Sequence, residues 1–72
     1  MKWTDLTSRS KRSDGAVVTK RPPGEFSVSR GIWWMACYPN GLAMEEQSGD
    51  YSYTREFSSR KAAKEALDNE QL

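Results

Sequence analysis

A chain of 72 residues and 8.2 kDa makes one small domain, too short for a doubly wound α/β enzyme, a barrel or a repeat array. It has no His, a single Cys and no apolar run near the ~20 residues of a membrane-spanning helix. These absences exclude His-dependent acid–base chemistry, an internal disulfide framework, a multi-cysteine zinc site and a spanning segment.

No Gly-rich phosphate loop or nucleophile elbow occurs. No set of nucleophile, base and orienting group can be picked out either, so neither catalysis, a metal nor a cofactor is expected. The lone thiol and the lack of an apolar leader suit a reducing cytosol. Three Trp, three Tyr and two Phe supply most of the large apolar area, so the core is expected to be aromatic and small.

The net charge of +1 hides an asymmetry. Residues 1–31 hold seven basic and three acidic side chains, a net +4; residues 32–72 hold four and seven, a net −3. The dense cationic set is Arg9, Lys11, Arg12, Lys20 and Arg21, with Arg30 beyond it. Such a half can meet an anionic partner.

Along the chain, residues 3–7 read as a short strand or an ordered arm. Residues 8–15 are polar and basic without an apolar position, so they read as a loop ending in the Asp14-Gly15 turn signal. Residues 1–15 together could form a flexible basic arm on a domain whose sheet spans 16–57 and whose helix spans 58–69. Ala16 to Lys20 is β-branched and reads as a strand, stopped by Pro22-Pro23, which removes two backbone donors.

Phe26 to Tyr38 is the strongest β signal. Phe26 and Val28 alternate with Ser, Gly31 marks a bulge or bend, and Ile32 to Tyr38 follow without a charge. On a strand, Ile32, Trp34, Ala36 and Tyr38 share one face; Trp33, Met35 and Cys37 share the other. Pro39-Asn40-Gly41 is a hairpin turn, either a type I turn with a glycine bulge or a two-residue Asn-Gly loop. The return strand is expected over Leu42 to Glu46, a turn over Gln47 to Asp50, and a third strand over Tyr51 to Phe57.

Ser58 to Asn69 is the one convincing helix. Ser58 can cap it, Phe57 can staple onto Ala62, and Ala62, Ala63, Ala66 and Leu67 make a narrow apolar stripe. Arg60 and Lys61 at its start, and Asp68 and Glu70 at its end, run against the helix dipole. They read as tolerated exposed charges, or the first pair as an anion contact. The fold class is therefore α+β: an antiparallel sheet of three or more strands with one C-terminal helix on one face. The second face of the sheet must be covered by the N-terminal segment or by another copy, or must serve as a binding surface.

From Arg30 to Asp68 the order is a Trp-bearing strand, Pro39-Asn40-Gly41, a return strand, Tyr53-Thr54-Arg55-Glu56-Phe57, and a helix with Ala62-Ala63 near its start. This order resembles the arm-type DNA-binding domain at the N-terminus of phage and transposon tyrosine recombinases. The resemblance covers about half of the chain. It implies a three-stranded sheet followed by a helix, with the sheet laid in the major groove of DNA. In that family the stretch after the hairpin is rich in Lys and Arg; here Leu42 to Asp50 is acidic.

Two functional expectations follow. A small chain of this kind also looks like the accessory proteins of bacteriophages, and the first expectation rests on that likeness: a phage-type accessory protein, in the cytoplasm of a bacterial host, that binds a protein, modulating or inhibiting a host factor through an aromatic face of Trp33, Trp34, Met35, Tyr51 and Tyr53. The second is a DNA-binding module that uses Arg9, Lys11, Arg12, Lys20, Arg21 and Arg30, with Arg55 on the sheet and Arg60 and Lys61 at the helix start. The partner's identity is not legible, self-association is left open, and no membrane contact is expected.

Overall fold

The computed structural model describes residues 2–24 and 31–70. Among these residues six strands precede one helix: β1 Trp3–Asp5, β2 Arg9–Arg12, β3 Val17–Arg21, β4 Trp33–Cys37, β5 Glu45–Ser48, β6 Tyr51–Thr54 and α1 Arg60–Asn69. Strands β1 to β4 form one antiparallel sheet in chain order, and β5 and β6 form a second sheet of two strands. The chain is thus a small α+β domain. The expected strand character of Phe26 and Val28 lies outside the described residues.

Two of the turns repeat one design. Gly15 donates its N–H to the Arg12 carbonyl at 2.9 Å, and Gly41 donates to Tyr38 at 2.9 Å. Each glycine has a positive φ, +104° and +93°, and forms the bulge after a four-residue turn. Asp14 Oδ1 and Asn40 Oδ1 each accept the backbone N–H two residues on, at 3.2 and 2.9 Å. Of the two readings of Pro39-Asn40-Gly41, this is the turn with a glycine bulge.

Four expectations about the elements change. Residues 8–15 are not all loop, because Arg9–Arg12 form β2 and pair with both β1 and β3. The strand has no apolar side chain, but Ser10 and Arg12 are buried on alternate positions and held by carboxylates. The segment expected to be an arm therefore extends the sheet sideways and does not fold over its face.

The return strand is shorter than expected. Only Ala43 bridges Cys37, and Met44 N–H donates to the Ala36 carbonyl at 2.7 Å. From Glu45 the chain leaves into β5, turns at Gly49-Asp50 and comes back along β6. Gly49 has φ +60°, the sign a type II′ turn needs at its first central position. Gln47 and Ser48, expected in a turn, belong to β5.

The third expected strand ends at Thr54. Phe57 rejoins β4 alone, bridging Trp34 through two backbone hydrogen bonds of 2.9 and 3.0 Å.

The helix cap shifts by one residue. Ser59, not Ser58, is extended and accepts the Ala62 N–H on its Oγ at 3.1 Å. Phe57 is then one position too early to staple the first turn, and it is buried in the core through its bridge to Trp34.

The core lies between α1 and the face of β3 and β4 that carries Val18 and Ala36. Ala16, Val18, Ala36, Met44, Phe57, Ala63 and Leu67 make up its buried set, with Trp3, Trp34 and Tyr38 packed against it. The small Ala63 lets the helix come close to the sheet, while Leu67 and the flanking aromatics fill the space beside it.

Candidate functional site

Register fixes which side chains share each face of the four-stranded sheet. Val18 and Ala36 point to the helix, so their neighbours on each strand point away from it. Three rows cross the open face: Lys11 beside Val17 beside Cys37, Arg9 beside Thr19 beside Met35, and Arg21 beside Trp33. Thr4 of β1 extends the first row, opposite Lys11.

The character of this face is uniform. Arg9, Lys11 and Arg21 are exposed, whereas Val17, Thr19, Met35 and Cys37 are half-buried. Among the described residues of the four strands, the only carboxylate is Asp5, and it lies on the helix side. Among the described residues of the four strands, the open face therefore presents three cations around a half-exposed apolar strip and no carboxylate. Burial pushes the Cys37 thiol above its ordinary value, with Arg21 working the other way.

Trp33 belongs to this face but is 9% exposed, and its indole N–H donates to the Pro22 carbonyl at 3.0 Å. It has little ring surface left for a partner. Trp34 lies on the helix side, packed against the core, with the Arg60 guanidinium 4.8 Å from its ring centre. Of the expected aromatic face, Trp33 is buried, Trp34, Met35 and Tyr53 are half-buried and Tyr51 is exposed; Trp34 and Met35 lie on opposite faces of β4, and the two tyrosines belong to a different sheet.

The expected cationic set also divides. Arg12 is 6% exposed and points to the helix side, bonded to Asp14 at 2.8 Å and Asp68 at 3.0 Å. It is a structural clasp and cannot meet an external anion. Asp14 is held down to about 2, chiefly by its hydrogen bond from Arg12. Arg55 pairs with Glu46 at 3.3 Å, reaches the Met44 sulfur and stacks on Phe57 at 4.9 Å.

Arg60 donates to the Thr7 carbonyl at 2.8 Å, tying the helix start to the β1–β2 turn. Its charge against the dipole is thus met by the sheet, and no external anion is needed. Lys61 is exposed on the helix. Arg30 lies outside the described residues.

Lys20 alternates to the helix side, opposite Trp34. Lys20, Arg21 and Ser8, with Pro22 and Ile32, line a shallow cavity of about 240 Å³. Ile32 is 56% exposed there. The cationic ground therefore runs from Lys11 across Arg9 to Arg21 and round the sheet end to Lys20. This continuity follows from the register of β2 on β3, which sequence reading lost by taking β2 for a loop.

The acidic stretch after the Asn40-Gly41 turn lies elsewhere. Glu45, Glu46 and Asp50 sit on the β5–β6 hairpin, whose strands, among the described residues, pair with each other and not with the four-stranded sheet. Among the described residues no group of acidic and Cys side chains is arranged to hold a metal ion. No helix among them is long and apolar enough to cross a membrane. Compared with protein-family models, characterised proteins and solved structures, the chain matches none.

Proposed function

We propose that the chain is a non-catalytic binding module that takes the phosphate backbone of a nucleic acid on the open face of its four-stranded sheet. The observation that carries this reading is the segregation of charge. Among the described residues of the four strands, Arg9, Lys11 and Arg21 stand on that face without a carboxylate, and the acidic stretch Glu45 to Asp50 is displaced onto a separate hairpin. Cation–phosphate contacts supply most of such an affinity and release counterions. With Trp33 covered, base stacking contributes little, so the binding is expected to be tolerant of sequence.

A second reading keeps a protein partner, as expected of a small accessory protein. It rests on Leu42 and Tyr51, each 66% exposed, since Trp33 and Trp34 no longer offer an anchor.

The test is fluorescence anisotropy of a labelled oligonucleotide at about 50 mM salt, where even non-specific cationic binding is strong. Wild type should bind, and Lys11→Glu with Arg21→Glu should weaken binding and lower the log–log salt slope by roughly 2. No binding by wild type removes the nucleic-acid reading and leaves Leu42 and Tyr51 as the surface to vary.

A further inference from the structure

We infer that the nucleic acid taken by the open face is a single strand, laid along a line of cations with its bases turned onto the apolar strip. This rests on the binding reading above and names its substrate class. The line follows from register. Successive rows on this face are two residues apart, about 6.6 Å along the strands. Lys11 lies in the row of Val17 and Cys37, Arg9 in that of Thr19 and Met35, and Arg21 in that of Trp33. The β1–β2 ladder continues one row beyond Lys11, where Ser13 donates its N–H to the Lys2 carbonyl at 2.9 Å, so Lys2 falls on the face of Thr4.

Each successive row thus holds one basic side chain, and Lys2, Lys11, Arg9 and Arg21 are all exposed. The line runs about 20 Å from β1 across β2 to the end of β3. One cation per row suits one phosphate per nucleotide, because two residues of a β-strand advance about as far as successive phosphates of an extended single strand.

The uncharged groups lie to one side of this line. Val17, Thr19, Met35 and Cys37 are half-buried on β3 and β4, and β4 stands about 10 Å from β2. That is the side and the reach at which the bases of a strand held by its phosphates come down. Aliphatic and thioether surface covers bases without reading their edges, so the binding stays tolerant of sequence.

A duplex fits the same face poorly. It keeps its bases stacked inside and would leave the strip uncovered. It also presents a backbone on either side of each groove, and the cations here stand on one flank. On the other flank β4 carries no charged side chain, and the chain beyond it passes from Met44, bonded to Ala36, straight into the exposed Glu45. Arg55 on that side is paired with Glu46.

The experiment is fluorescence anisotropy at about 50 mM salt with probes of equal length. They are a mixed-sequence single strand, supplied as DNA and as RNA, its blunt duplex, and an abasic strand with the same phosphates. The single strand should bind at least about tenfold more tightly than the duplex and than the abasic strand. The tighter of DNA and RNA identifies its source. Met35→Ala, shown to be folded by a circular dichroism melt, should weaken the single strand several-fold and leave the abasic strand unchanged. Lys2→Gln should lower the log–log salt slope by about 0.7, the single-strand value for one phosphate.

A duplex or an abasic strand bound as tightly as the normal single strand would overturn the single-strand inference and leave the cationic face standing. Failure of every probe to bind wild type would overturn both.

Discussion

The Arg12 guanidinium donates to the Asp68 carboxylate at 3.0 Å, joining residues 56 positions apart. Arg12 lies on β2 and Asp68 in the last turn of α1, so this bond closes the N-terminal hairpin onto the helix. Trp3 adds to the clasp: its indole N–H donates to the same carboxylate at 3.2 Å, and the ring centre lies 5.7 Å from Arg12 and from Lys64. The acidic side chain at the negative end of the helix dipole is thus neutralised by a buried cation. Replacing Arg12 by Met should keep the volume but lose these bonds, with a destabilisation of about 2–3 kcal/mol. Chemical denaturation checks this, and an unchanged midpoint would mean that the hairpin is held by backbone pairing alone.

Acid should loosen the same region. Asp14 is held at about 2 by the Arg12 hydrogen bond, and Asp5 is lowered first by its hydrogen bond with Lys64, at 2.8 Å, and then by Ser10. Both folded values lie below the ordinary carboxylate range of about 3.9. The unfolded chain therefore binds protons more readily, and stability is complete above about pH 4 and lost as pH falls toward 2. Melting temperatures from pH 7 down to pH 2 should show this decline. Asp14→Asn should melt below wild type at pH 7, with the gap closing toward pH 2; parallel curves would contradict the assignment.

The cap can be located by paired substitutions. Ser59→Ala removes the acceptor for the Ala62 N–H and should cost about 1 kcal/mol, whereas Ser58→Ala should cost only a few tenths. Equal effects in a thermal melt would place the helix start elsewhere.

Docking of the helix depends on a side chain that is small. Ala63 is fully buried against the sheet, so Ala63→Leu should overpack and destabilise by about 1–3 kcal/mol. The same change at Lys61, which is exposed, should be nearly silent. Guanidinium titrations of the two variants make the comparison.

Local chemistry made part of this fold legible in the sequence. Asp14-Gly15 and Asn40-Gly41 announce their turns because each supplies an Asx acceptor and a residue free to take positive φ. The Ala62, Ala63, Ala66 and Leu67 spacing announces the helix. The β2 strand was not legible because its inward side chains, Ser10 and Arg12, are polar and are satisfied by Asp5, Asp14 and Asp68, two of which are near in sequence and one remote. Only the alternation of Ser10 and Arg12 with Arg9 and Lys11 hinted at it.

The candidate site followed the same divide. Arg9, Lys11 and Arg21 were recognisable as a cationic set, but their placement on one face depends on the pairing of β2 with β3. The departure of the chain at Glu45 was hidden because Leu42 to Glu46 alternates as well as a continuous strand would. Gly49-Asp50, between Ser48 and Tyr51, is the two-residue turn signal that marks the separate hairpin.

On the proposed function, nucleic acid meets the open face of the sheet. The most direct measurement is a titration of isotope-labelled protein with a short oligonucleotide, following backbone amide and side-chain resonances by NMR. The expected perturbations cluster on Arg9, Lys11, Thr19, Arg21 and Met35, and spread round the sheet end to Lys20. Perturbations confined to Glu45–Thr54 or to the exposed side of α1, with the sheet resonances unmoved, would contradict it.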